Sequence, residues 1–207
     1  MKKQYFIFLI IFSCSGLFAQ MENDMDHRPG GEIQRFFTLQ GFVINSIGES
    51  TDHWTSFKAD WKSATGFSIG YVQIYASNWA LVYQTGYFSY KYNEESNFTG
   101  DPSYSVIPLA IGGRYYLVRH LFQPYLLAMT GLNIISEKYT RVEGEETQVT
   151  DKTSGRLHFQ VGVGVGVNVT ERIGLEISGK YNSHVLEAPV PYNMTGLEYG
   201  LAINWSL

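Results

Sequence analysis

Few residues in this 207-residue chain are of the types that carry out reactions. The nucleophile candidates are Ser183 and the adjacent His184, with Glu187 close behind. A hydrolase of that kind needs a base that takes the serine proton and a third group that orients the base. On an extended segment, however, neighbouring residues project to opposite faces. Ser183 and His184 therefore cannot hydrogen-bond to each other while a strand continues through them. Asp24, Asp26 and His27 offer oxygen and nitrogen ligands, but nothing supplies the remaining ligands at a zinc-like spacing. Gly162, Gly164 and Gly166 look superficially like a phosphate loop, yet they alternate with valine and precede no helix. The glycosylation-type triplets at Asn97, Asn168 and Asn193 read as chance matches. No catalytic residue, metal ligand or cofactor is assigned. What remains is a set of charges, Arg114, Arg156, Glu176, Lys180 and Glu198. Their chemistry depends on whether they face water or an enclosure, because enclosed charges must be compensated.

The elements that hold them are extended. Leu157, Phe159, Val161, Val163, Val165, Val167 and Val169 alternate strictly with His158, Gln160, Gly162, Gly164, Gly166 and Asn168. Such a run is a strand with one apolar face and one polar or small face. The same pattern sets Ile173, Leu175, Ile177 and Tyr181 against Glu176, Lys180 and Asn182. It sets Leu197, Tyr199, Leu201, Ile203 and Trp205 against Glu198, Ala202 and Asn204, and Ile107, Leu109 and Ile111 against Pro108, Ala110 and Arg114. Segments near 36–45, 65–75, 79–92 and 123–135 are strand-like too, and no stretch keeps a helical period.

Eight strands result, each near or above the ~9–11 residues that cross a bilayer when tilted. Long polar connections near 48–64, 93–103, 138–154 and 183–194 alternate with short ones near 76–78, 119–122 and 170–171. That is the rhythm of an up-and-down meander with one rim outside and the other toward the periplasm. Only 16% of residues are charged, against about 25% in typical soluble domains. Past the N-terminus no apolar run approaches the ~18–20 residues of a spanning helix, and the aromatic content excludes disorder. A formal charge of −4 leaves no basic footprint for nucleic acid. Trp79 and Trp205 fall at the short-turn end, and Tyr87, Tyr90 and Tyr92 at the long-loop end, as interfacial girdles do. A soluble sandwich explains the alternation but not the small, Gly-rich polar face or the strand lengths. In hydrocarbon every backbone group must pair within the chain, so the sheet closes. The expected fold is an all-β, eight-stranded antiparallel up-and-down transmembrane β-barrel over residues 35–207.

Met1 to Ala19 reads as a secretory signal peptide: Lys2 and Lys3, a short apolar core, and a small residue at the cleavage point. A membrane anchor and lipidation at Cys14 are the alternatives. Removing it takes away the only cysteine and leaves 13 basic and 19 acidic residues, a formal charge of −6. Residues 20–34 form a flexible periplasmic lead-in.

The 107–117, 123–131 and 161–169 segments and the terminal 199–207 strand together resemble the small outer-membrane β-barrel family, similar in plan to OmpA and OmpX and in style to Bacteroidetes-type members. The resemblance implies a monomer in the Gram-negative outer membrane, in contact with outer-membrane lipid and lipopolysaccharide, and handled by the barrel-assembly machinery during biogenesis. It also implies a structural or adhesive role through surface loops, with the surface partner open. A narrow or gated channel is the alternative, and a lipid A-modifying enzyme a third. The His-x-Ser pattern of barrel deacylases follows neither His158 nor His184. The chain departs from the family by ending on Leu207, with Trp205 two residues before it on the same face.

An eight-stranded barrel has an interior that side chains fill, so the inward charges are expected to form an ion-paired plug rather than an ion path. Opposed residues keep a constant sum, which sets Lys180 against Glu198. Arg114 and Glu176 lie at similar depth from the short-turn end, and are expected to pair. The first long loop carries Asp52, His53, Trp54, Phe57 and Trp61, suited to a surface partner or to extending the outer girdle. The third, from Glu137 to Thr153, reads as a solvated acidic loop.

Overall fold

A computed structural model describes residues 33–47, 61–75, 78–92, 94, 98–143, 146–184 and 196–207. The signal segment with Cys14 and the ligand candidates Asp24, Asp26 and His27 lie outside the described residues. So do Asp52, His53, Trp54, Phe57, Asn97, Glu187 and Asn193.

Eight strands follow in order: β1 Gln34–Ser46, β2 Trp61–Tyr75, β3 Trp79–Tyr92, β4 Phe98–Tyr116, β5 Phe122–Glu143, β6 Glu146–Asn168, β7 Ile173–His184 and β8 Gly196–Ser206. Each pairs antiparallel with its neighbour in sequence, and β1 pairs with β8 to close the barrel. Closure satisfies the ladder groups that an open sheet would leave at its edges.

Side-chain polarity is inverted relative to a water-soluble protein. Val161, Val163, Leu175, Ile177, Leu201 and Ile203 are exposed, while Gln160, Glu176, Lys180 and Glu198 are buried. Exposed apolar residues continue around all eight strands, far beyond the few hundred Å² of a soluble monomer. An apolar exterior and a polar interior are stable together only where the surrounding solvent is hydrocarbon. This is an eight-stranded transmembrane barrel.

The lumen has two halves. Two apolar clusters fill the side formed mainly by β2–β5, one around Phe42, Trp61, Phe88, Tyr90, Tyr104 and Ile135, the other around Val72, Val82, Tyr116, Tyr125 and Met129. The polar side chains come mainly from β6–β8 and β1. The inner glycines make room for them. A Cβ at Gly164 would collide with the Tyr125 ring, at Gly200 with the Gln40 amide, and at Gly162 with Lys180.

The structure departs from the sequence expectations in several places. The first and second long connections are shorter than 48–64 and 93–103, since β2 begins at Trp61 and β4 at Phe98. Gln34, assigned to the lead-in, opens β1. The third connection is no loop: β5 and β6 pair from Phe122↔Val167 up to Glu143↔Glu146, a hairpin that outruns its neighbours. Threonine- and valine-rich sequence there (Val142, Thr147, Val149, Thr150) favours extended backbone, and the scattered charges hid that tendency. Tyr90 faces the lumen rather than the outer girdle. The β3–β4 ladder omits Gly86 and Tyr87 opposite Ile107 and Pro108, where proline has no N–H to donate, and the register shifts between Trp61 and Ala64 on β2 and between Thr99 and Ser103 on β4.

Candidate functional site

Among the described residues, two ion pairs in the lumen have both partners buried. Arg114 on β4 reaches across the bore to Glu176 on β7. Nη1 donates to Oε2 at 2.8 Å and Nη2 to Oε1 at 3.2 Å, a bidentate arrangement. Charge-assisted pairs of this geometry are among the strongest hydrogen bonds in proteins. The guanidinium lies 4.0 Å from the Tyr125 ring centroid, and the Tyr125 hydroxyl donates to the same carboxylate. Asn204 Nδ2 donates to Glu176 Oε2 at 3.3 Å, and Thr38 Oγ1 donates to Asn204 Oδ1 at 2.9 Å. Both charges are thus sealed among rings and amides near the short-turn end.

The second pair joins neighbouring strands. Lys180 on β7 stands opposite Glu198 on β8, with Nζ 2.8 Å from Oε1. Lys180 also donates to Gln40 Oε1 at 2.9 Å. Glu198 accepts from Gln40 Nε2 at 3.3 Å, Gln160 Nε2 at 3.1 Å and Asn182 Nδ2 at 3.0 Å. Each charge therefore has more than one partner, which offsets the several kcal/mol that a buried ion costs.

Beside this network lies a cavity of ≈ 20 Å³, lined by Phe42, Phe88, Asn133, His158, Asn182 and Glu198 among others. That space holds about one water. Toward the long-connection rim a chain of rings follows. Phe42 contacts Phe88 at 5.8 Å, Phe88 contacts Tyr90 at 5.8 Å, and Tyr90 contacts Tyr104 at 5.7 Å. Tyr104 packs on Trp61 at 5.4 Å, and Trp61 on Tyr139 at 6.4 Å. Level with Tyr104, its partner across the β4–β5 ladder, Glu137 lies 3.5 Å from Lys152 Nζ and 3.8 Å from Arg156 Nη2. At the other end a vestibule of ≈ 340 Å³ narrows to Glu176.

Of the residues singled out in the sequence, Arg114, Glu176, Lys180 and Glu198 meet in the lumen as two pairs. Trp79 and Trp205 are exposed on the outer wall near the short-turn rim, with Trp79 tilted against Tyr115 at 4.8 Å. Trp61 is corrected. It does not lie in a loop or on the outer girdle, but opens β2 and is 0% exposed inside the barrel. Burying a large ring over the lumen gains more than presenting it to water. Glu137 is likewise a lumen residue, not part of a solvated loop. Sequence reasoning missed the supporting cast. Gln160 and Asn182 were visible in the alternation, whereas Gln40 and Tyr125 lay on strands whose facing the residue pattern left open.

No family model matches this chain, and no curated protein matches its sequence. Solved structures do. Neisserial surface protein A superposes with a TM-score of 0.55 at 19% identity, covering 83% of this chain and 97% of that one. OprG of Pseudomonas aeruginosa gives 0.55 at 13%, covering 86% and 98%. Ail, the attachment invasion locus protein of Yersinia pestis, gives 0.51 at 12%, covering 86% and 99%. The fold is that of a small eight-stranded outer-membrane β-barrel, similar in plan to OmpA and OmpX.

Proposed function

We propose that the protein is a monomeric outer-membrane barrel, exported with a cleaved signal peptide, that passes no solute through its centre. It acts at the long-connection rim as a structural or adhesive protein. The observation that carries this reading is the filled lumen. Rings crowd one end, the Arg114–Glu176 pair crosses the other, and the cavity beside the Lys180–Glu198 network holds only ≈ 20 Å³. Such a core makes a rigid pedestal, and function then belongs to the parts that project from it. The β5–β6 hairpin is one such part, and Trp54 and Phe57 in the first long connection are proposed contact residues. Ail, a protein named for attachment and invasion, shares the fold, which supports a role at the surface. Contact with outer-membrane lipid and lipopolysaccharide, and handling by the assembly machinery, follow from the same reading.

The test is solute uptake by liposomes containing the refolded protein, with planar-bilayer recordings alongside. Sugar-sized solutes are expected to stay out and steady conductance to be absent. Rapid uptake or a stable open level would replace this reading with the channel alternative. Altered lipid A mass spectra in cells expressing the protein would replace it with an enzyme.

A further inference from the structure

Among the described residues, the outer wall of β1–β4 carries a groove. Counting along the registers, Phe37, Tyr71, Tyr83 and Ile111 form a row across β1–β4. Ile69, Thr85 and Leu109 belong to the next outward row. Between the two rows runs a groove of ≈ 470 Å³. Gly70, Gln84 and Ala110, which belong to the inward-facing set, complete its lining. Thr85, the small member of its row, deepens it. The ring side is held by mutual contacts, Phe37 to Tyr71 at 5.5 Å and Tyr71 to Tyr83 at 6.3 Å.

The next outward row toward the short-turn rim begins with Arg35 opposite Gln73, about 7 Å from Phe37 and Tyr71 along the strands. On the short-turn half of the described strands, Arg35 is the outward-facing cation. The groove and the outward Arg35 and Gln73 thus lie on the two sides of the Phe37–Tyr71 row, one row apart on the same wall. We propose that this is a seat for a single anionic glycerophospholipid of the leaflet at the short-turn rim. One acyl chain lies in the groove, and the phosphate rests on Arg35 and Gln73. Arginine suits this role because its planar donor fork matches phosphate oxygens. The assignment of that leaflet to the periplasmic side rests on the proposed function. The lipid seat itself is read out separately from solute leakage.

The experiment is native mass spectrometry of the folded protein released from detergent, after exposure to phosphatidylglycerol, phosphatidylethanolamine or lipopolysaccharide. One phosphatidylglycerol is expected to be retained in preference to phosphatidylethanolamine. Arg35→Gln should lower that preference by about fivefold, the worth of one arginine near an anionic lipid surface, without changing folding. Thr85→Leu, which fills the groove and leaves the head-group side intact, should lower retention of both phospholipids. Val163→Leu, on the far wall, should change nothing. Equal retention of the two phospholipids by the unaltered protein would overturn the proposal, as would unchanged retention in Arg35→Gln or Thr85→Leu. Preferential retention of lipopolysaccharide would overturn it as well. Heat-dependent gel mobility confirms that each variant is folded, so a loss of lipid is not a loss of barrel.

Discussion

The two lumen ion pairs are close in burial and alike in charge, yet they are built differently. Arg114 and Glu176 sit on β4 and β7, which are not neighbours, so their contact spans the bore. Its surroundings are rings: Tyr125 and Tyr116 lie beside the guanidinium. Lys180 and Glu198 sit on adjacent strands directly opposite each other, among the amides of Gln40, Gln160 and Asn182. If either partner is lost, the amide pair has substitutes within reach, whereas the ring-lined pair has fewer. A cross-bore contact also reports on curvature, because β4 must be joined to β7 through β5 and β6 and the sheet curled before it forms. A cross-strand contact requires only one hairpin.

The largest effect is therefore expected at the cross-bore pair. Arg114→Met leaves Glu176 charged beneath Tyr125 and should cost about 3–5 kcal/mol, while the double change with Glu176→Met should cost clearly less. Urea unfolding in lipid vesicles, analysed as a double-mutant cycle, measures this. Additive effects would show that the two residues do not depend on each other.

Lys180→Met should do less damage, because Glu198 keeps three amide donors. A loss of about 1–3 kcal/mol is expected in the same assay. A loss equal to that of Arg114→Met would erase the distinction between amide-lined and ring-lined pairs.

The finest probe is Gly164→Ala. The added methyl displaces the Tyr125 ring from its place beside Arg114, and overpacking of this kind costs about 1–3 kcal/mol. Much of that cost should vanish when Tyr125→Phe is added to Arg114→Met and Glu176→Met, since no charge then needs the ring in place. Gly41→Ala, where a Cβ meets nothing within 4 Å, serves as the neutral reference.

These differences also mark where residue patterns stop being informative. The alternation from Leu157 to Val169 names both faces of a strand because it arises inside that strand. The opposition of Lys180 and Glu198 follows from a register that one connection sets. Trp61 was misplaced because its role depends on Tyr104 and Tyr139, which arrive from strands far along the chain. Glu137 was misplaced because a run of charges looks the same in a loop as along a strand whose alternate residues face a lumen. Gln40 gave no local sign that it would bridge β1 to both Lys180 and Glu198.

By itself the sequence determined the strands, their number, their antiparallel order and the apolar exterior. Those properties follow from a period of two, from turn spacing and from hydrophobicity, all short-range along the chain. Only the tertiary structure decided that Gln40, Gln160, Asn182 and Tyr125 complete the two pairs, how the rings stack at the outer mouth, and that the groove on β1–β4 lies one row from Arg35. Each of these depends on distances across the bore or between rows of different strands. Such distances exist only after the barrel has closed and its shear has fixed which residues share a level.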